Sequence, residues 1–158
     1  MEALYYAVNT KLTEELADKA KAERVRQFVF LSTMSVYGMT MGQITEETEC
    51  TPITFYGKSK LAAERYLYEQ RSDTFKVAVI RPPMIYGKAC TGNYASLEIP
   101  VFPRVSNERS MIYIENLCEF LYRIIRGDAD GIYCPQNSQY VNTSDMVARI
   151  AESYGRSI

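Results

Sequence analysis

Histidine is absent from this chain, and that absence excludes more chemistry than any other feature of its composition. Ser-His-Asp and Cys-His catalysis both need an imidazole and are ruled out. The four cysteines, Cys50, Cys90, Cys118 and Cys134, form no C-x-x-C pair, so with no histidine beside them a zinc site is not expected. Free thiols are the expectation. No apolar run approaches the roughly 20 residues of a membrane span. The N-terminus MEALYYAVNT lacks a basic stretch followed by an apolar one, so no secretion signal is read and a cytoplasmic location is expected. The formal net charge is only -1, which gives no electrostatic reason to bind nucleic acid or an anionic membrane. Internal repeats and low-complexity tracts are also missing. Acid–base chemistry therefore falls to Tyr, Lys, Asp, Glu or Cys.

The 158 residues, 47% of them apolar, suit one globular domain. Residues 5–24 read as an amphipathic helix, with Leu12, Leu16, Ala17 and Ala20 at helical spacing. Gln27–Leu31 is a continuous apolar run of the kind found in a buried parallel strand. Residues 38–52 are polar and read as loop. A second amphipathic helix is expected over 56–70, with Leu61, Ala62, Tyr66 and Leu67 on its apolar side. Residues 75–80 form a second buried strand, stopped by Pro82 and Pro83. Residues 88–109 read as irregular and 115–126 as a third helix. Residues 131–134 and 139–141 are short strand candidates. Thr143 is expected to cap a last helix over 144–154.

Helix–strand–helix–strand order predicts an α/β fold, a partial Rossmann-like parallel sheet with flanking helices and a small C-terminal substrate-side portion. The expected division is 1–87, carrying the site, and 88–158, a substrate-side loop, returning helix and partial C-terminal region. Two strands make a short sheet with apolar, unpaired edges, so further strands or another chain are expected to complete it.

Tyr56 and Lys60 stand four apart, on one side of the second helix. An ammonium near a phenol favours the phenolate and lowers its pKa from about 10, giving a general base near neutrality. Thr33, just beyond the first strand, is placed to complete the site, because open α/β sheets put their sites at strand C-terminal ends. A bare Y-x-x-x-K is common. Here it follows a buried strand ending in Ser32-Thr33 and the turn Val36-Tyr-Gly38, and it precedes a strand ending in Arg81-Pro-Pro-Met-Ile-Tyr-Gly87.

That ordered set, with Tyr56-Gly-Lys-Ser-Lys60, Ala63-Glu64 and Arg109-Ser-Met-Ile-Tyr-Ile114, resembles the NAD-dependent epimerase/dehydratase family, the extended short-chain dehydrogenase/reductases that include UDP-glucose 4-epimerases. The resemblance implies NAD as cofactor and a nucleotide-sugar as substrate. It implies Tyr56 as general base, with hydride abstracted from and returned to a sugar carbon. It implies Lys60 on the nicotinamide ribose as well as beside Tyr56, and Thr33 on the sugar hydroxyl. Asn9 and Pro83 would lie against the cofactor, Met84 at a substrate-contacting position, and Arg109 on the substrate diphosphate. A helix-start cap is the structural alternative for Asn9, and a plain surface arginine for Arg109.

The departures from the family pattern matter as much. Gly38, Gly42, Gly57 and Gly87 are scattered, and no strand-Gly-x-x-Gly-x-x-Gly-helix unit exists to cradle a pyrophosphate. By resemblance, roughly 80 to 90 N-terminal residues and the C-terminal end are absent, so the chain reads as a fragment that by itself binds NAD weakly. Met34-Ser35 stands where the family's 4,6-dehydratases carry Asp-Glu, which favours epimerisation or reduction over dehydration. A nucleotide-sugar reductase on the same scaffold and a non-catalytic remnant are the alternatives. The resemblance further implies a dimer through the helices at 5–24 and 56–70, packed as a four-helix bundle.

Overall fold

A computed structural model describes residues 2–88 and 107–153. Cys90, most of the irregular stretch 88–109 and the end of the expected last helix lie outside the described residues. The chain divides into two compact units, Met1–Arg81 with Tyr122–Cys134, and Pro82–Leu121 with Pro135–Ile158. This differs from the division expected at residue 87 because the chain returns to the first unit to add a third strand to its sheet.

The first unit begins with one continuous helical segment: α1 (Glu2–Tyr5), a wider π-helical stretch (Tyr6–Lys11) and α2 (Leu12–Ala22). It ends two residues before the expected boundary. Arg24 turns left-handed at φ 58, and the Arg24 and Val25 amides reach back to the Lys21 and Ala20 carbonyls. That pair of bonds satisfies the last carbonyls of the helix and stops it.

β1 (Gln27–Leu31) follows, then a 3-10 turn (Met34–Tyr37), α3 (Phe55–Glu69) and β2 (Lys76–Ile80). β1 and β2 are adjacent and parallel, as expected, with Gln27 opposite Lys76 and Leu31 opposite Ile80. β6 (Gly131–Tyr133) pairs parallel to β2, giving the order β1-β2-β6 with β1 at an edge.

Alternation sorts the side chains. Phe28 and Phe30, with Phe75, Val77 and Val79, pack against Ala17 and Ala20 of α2 and Ala63, Tyr66 and Leu67 of α3. Gln27 belongs to the opposite alternation, and its amide donates to the Ile124 and Ala129 carbonyls at 3.0 and 2.9 Å. All three strands run the same way, so Leu31, Ile80 and Tyr133 end on one edge of the sheet, and the site lies at that edge.

The second unit contains β3 (Met84–Tyr86) parallel to β5 (Met111–Tyr113), and β4 (Glu108–Arg109) antiparallel to β7 (Val141–Asn142). It also holds the first part of α4 (Ile114–Arg126), whose remainder belongs to the first unit, and α5 (Thr143–Ser153). Met111, Ile112, Leu117 and Val147 are buried in it. Thr143 does not cap α5. Asn142 does, its side-chain oxygen accepting from the Ser144 amide at 2.9 Å, while the Thr143 hydroxyl is buried and unpaired among the described residues. No described helix is long and apolar enough to cross a membrane.

At the N-terminal end of the sheet, Lys76 bonds the Asp128 carboxylate at 2.6 Å, and Arg71 forks onto Asp130, which also accepts from the Val77 amide. The Lys76 hydrogen bond holds Asp128 below the ordinary carboxylate range, and the Arg71 hydrogen bond does the same for Asp130. Carboxylates depressed in the folded state stabilise it above their unfolded pKa, and that contribution is lost as pH falls through the folded value. Urea melts should therefore show stability falling below about pH 4, and Asp128→Asn with Asp130→Asn should flatten that acid limb. An unchanged acid limb would refute the assignment.

Candidate active site

The site is built where β1 ends. Thr33 is extended (φ -160, ψ 150), and its hydroxyl accepts from the Ser35 amide at 3.1 Å and donates to the Ser35 hydroxyl at 3.2 Å. Thr33 thus caps the turn that follows the strand. The turn closes on Gly38, whose φ of 69 is left-handed and where a Cβ would sit 2.0 Å from the Thr51 carbonyl oxygen, so only glycine fits. α3 starts from Thr54, whose hydroxyl accepts from the Gly57 amide at 3.0 Å. A Cβ on Gly57 would lie 2.6 Å from the Ser35 carbonyl oxygen, so glycine lets the first turn of α3 press against the turn after β1.

That approach brings Tyr56 and Lys60 to the strand end. Tyr56, next to Gly57, stands beside the turn after β1, where the neighbouring Thr33 side chain favours its phenolate. The Lys60 ammonium donates to the Leu31 carbonyl at 3.0 Å and lies 4.7 Å from the centre of the Phe30 ring. Thr33, Tyr56 and Lys60 therefore all stand at one edge of the sheet.

Their electrostatics differ from the expectation that Lys60 lowers the Tyr56 pKa. Burial pushes the Tyr56 phenol above 10, the Thr33 contact pulls it partly back, and Tyr5 pushes it up again. Lys60 itself is lowered by burial, against the pull of Glu64. The reason is geometric, since the ammonium is directed to a backbone carbonyl and an aromatic face.

Asn9 is not a helix-start cap. It lies inside the π-helical stretch, where its amide donates to the Ser59 hydroxyl at 3.0 Å. Ser59 in turn donates to the Tyr56 carbonyl at 2.9 Å, and Thr10 donates to the Ser59 carbonyl at 2.9 Å. π-helical insertions concentrate at functional positions, and this one ties the first helix to the turn of α3 that carries Tyr56. The other three expected site residues belong to the second unit. Pro83 immediately precedes β3, Met84 opens β3 opposite Met111, and Arg109 is exposed on β4 opposite Val141.

Several participants carry no expected role. Tyr5 tilts against Tyr56 with ring centroids 6.0 Å apart. Behind the site, Arg81 grips Glu64 with its Nε 3.2 and 3.1 Å from the two carboxylate oxygens, and Ser32 bonds the same carboxylate. The signal for the pair was legible: Glu64 occupies an apolar stripe between Leu61 and Leu67, and Arg81 ends an apolar strand. Charges in such positions need each other.

A tyrosine, a lysine and a hydroxyl stand at the C-terminal edge of a parallel sheet, the edge where open α/β folds place their sites. The profile of the NAD dependent epimerase/dehydratase family matches residues 2–134, and the chain belongs to that family. It is 30% identical over 162 residues to UDP-glucose 4-epimerase of Vibrio cholerae, covering 94% of this chain and 49% of that protein. It is 27% identical over 168 residues to the N-acetyl-alpha-D-glucosaminyl-diphospho-ditrans,octacis-undecaprenol 4-epimerase of Escherichia coli O157:H7, covering 99% and 51%. The chain thus spans about half the length of the curated relatives it matches. In fold it is similar to the UDP-glucuronic acid 4-epimerase from Bacillus cereus, with a TM-score of 0.81 at 18% identity over 94% of this chain and 53% of that one.

Replacing Thr33 removes the contact that favours the Tyr56 phenolate. Thr33→Val should therefore move the Tyr56 titration further above 10, followed by NMR of ring-labelled tyrosine. A downward shift or none would show that Thr33 does not touch the phenol.

Proposed function

We propose that this chain carries the proton-transfer site of a nucleotide-sugar 4-epimerase acting on a UDP-hexose-like substrate. The observation that supports it most directly is the close approach of the first turn of α3, which carries Tyr56, to the turn that Thr33 caps at the end of β1, with Lys60 one turn along α3. Thr33 holds the sugar hydroxyl, and Tyr56 takes its proton and later returns it. Lys60, its ammonium on the Leu31 carbonyl at the strand end, supplies the positive charge for the ribose hydroxyls of the cofactor. NAD, the family's cofactor, supplies a hydride acceptor and donor when bound. Within the first unit, Tyr56 and Lys60 at the strand edge and Asn9 on the first helix are the residues that would hold its nicotinamide end, and Pro83 is proposed for it from the family pattern alone. Nothing in the sequence fits its pyrophosphate, for want of a glycine-rich turn at a helix N-terminus. Met84 and Arg109 are proposed for the substrate side, Arg109 as a fork for the diphosphate.

The test is the purified chain supplied with millimolar NAD and UDP-glucose, with the hexose resolved by NMR. The 4-epimer should form without lasting NADH, and Tyr56→Phe should lower kcat on the order of 100-fold or more while binding is nearly unchanged. Calorimetry should give NAD a Kd well above the low-micromolar range. Turnover that consumes external NAD(P)H would replace the epimerase with a reductase. Binding of neither ligand would leave a non-catalytic family member.

We also propose a dimer, on those of the expected apolar residues that stay exposed, Leu12 and Leu16, with their neighbours along the same helix. Leu61 and Leu67 are buried in the chain's own core, with Ala20 and Tyr66 packed half-buried against that core, so none of these supplies free apolar surface on the two helices. Leu4, Val8, Leu12 and Leu16 instead form an exposed stripe at four-residue spacing along residues 2–22, and β1 is an edge strand. Such a stripe needs cover, and a second copy provides it symmetrically. Light scattering at tens of micromolar should give a dimer mass, and Leu12→Glu with Leu16→Glu should return the monomer. A monomeric wild type would end the proposal.

A further inference from the structure

Behind the proposed reacting pair, three successive residues at the end of β1 are each taken by a different residue of one α3 stripe. Tyr56, Lys60 and Glu64 follow at four-residue spacing, on one side of the helix. Tyr56 stands beside the turn that Thr33 caps, Lys60 bonds the Leu31 carbonyl at 3.0 Å, and Glu64 accepts from the Ser32 hydroxyl. Sheet pairing gives out here, since the Ser32 amide makes the last bond to β2, on the Ile80 carbonyl at 2.7 Å. Among the described residues, the Thr33 amide and carbonyl have no strand partner, and the carbonyl accepts only from the Val36 amide within the turn. What fixes Thr33 is therefore its anchored neighbour and the far end of the turn. That far end is Tyr37, whose hydroxyl accepts from Arg81 Nη1 at 2.8 Å and whose ring lies 4.9 Å from the guanidinium carbon. The Glu64–Arg81 pair thus holds Ser32 through its anion and Tyr37 through its cation, and all four residues are buried.

We propose that Glu64 and Arg81 act as positioning residues, a two-ended clamp on the turn 32–37 that holds the Thr33 hydroxyl against the Tyr56 phenol. The functional meaning rests on reading Thr33 and Tyr56 as the reacting pair; the clamp itself is a matter of geometry. Neither residue needs to touch substrate. A carboxylate anchored by a bidentate guanidinium is a stiff support, and a sub-ångström displacement of a reacting group is enough to cost activity.

The experiment reads the Tyr56 ring carbon that bears the hydroxyl, by NMR of the 158-residue chain with labelled tyrosine at neutral pH, assigned with Tyr56→Phe. Thr33→Val gives the displacement caused by losing the contact outright. Ser32→Ala cuts one arm and leaves the ion pair intact, and Tyr37→Phe cuts the other arm while keeping the ring. Each should move the Tyr56 resonance in the same direction as Thr33→Val and by a comparable amount, with the far-ultraviolet spectrum unchanged. Glu64→Gln should do the same if it folds, but the two arm variants decide the question without it. A Tyr56 resonance moved by Thr33→Val and unmoved by both arm variants overturns the clamp and leaves the functional reading standing. A resonance unmoved by Thr33→Val removes the reacting pair itself, and both readings fall together.

Discussion

The buried ion pair between Arg81 and Glu64 is the constraint on which the first unit turns. Two charges inside a protein lose hydration worth several kcal/mol each, and attraction repays this only when the geometry is good and the spare hydrogen-bonding capacity is filled. Here it is filled. The carboxylate receives Arg81 and Ser32, and the guanidinium spreads over Glu64 and Tyr37. Burial works against the cation, but Glu64 and Tyr37 overcome it and hold Arg81 above its ordinary pKa. Loss of one partner would strand the other charge, at a cost of about 3–5 kcal/mol. An apolar pair of similar volume could serve stability as well, so the arrangement is better understood through what it connects: the ends of β1 and β2, the turn after β1 and the middle of α3.

The same economy of position explains why the lysine behaves unexpectedly. Four-residue spacing puts Tyr56 and Lys60 on one side of α3, and sequence reasoning stops at that shared side. The strand end offers a nearer partner than the phenol, namely the carbonyl of Leu31, the last residue of β1, opposite Ile80. A carbonyl at a strand end beside an aromatic face suits a half-buried ammonium. Tyr56 is left under the control of burial and of Thr33, and its phenol rises instead of falling.

What could be read from the sequence followed from the strength of the local pattern. Gln27–Leu31 and residues 75–80 are continuous apolar runs, and the helices over 2–22, Phe55–Glu69 and Ile114–Arg126 keep helical periodicity, so their type, order and parallel pairing were legible. β3 and β5 are three residues each, follow prolines or a charged stretch, and exist through their pairing with each other, which no local pattern encodes. The end of α5 misleads for a related reason, because Thr143 and Asn142 are both good caps and only the fold decides which side chain turns back. The π-helical winding at Tyr6–Lys11 leaves no mark in the periodicity; it shows in the backbone, where the Leu12 amide reaches back to the Ala7 carbonyl, and in the bonds of Asn9 and Thr10 to Ser59.

The proposed chemistry and the expected cofactor grip place different demands on the chain. A pyrophosphate cradle needs backbone amides at a glycine turn, a feature written in consecutive residues. The Thr33–Tyr56–Lys60 group needs only a strand end, a helix that starts close to it and a support behind both. Gly57 and Gly38 permit the close approach, Thr54 fixes where the helix begins, and the Glu64–Arg81 pair holds strand, turn and helix together. Every one of these contacts lies within the first unit. The geometry of the proposed proton-transfer group is therefore set by the same short-range packing that stabilises β1 against α3, and it requires no glycine-rich turn to form.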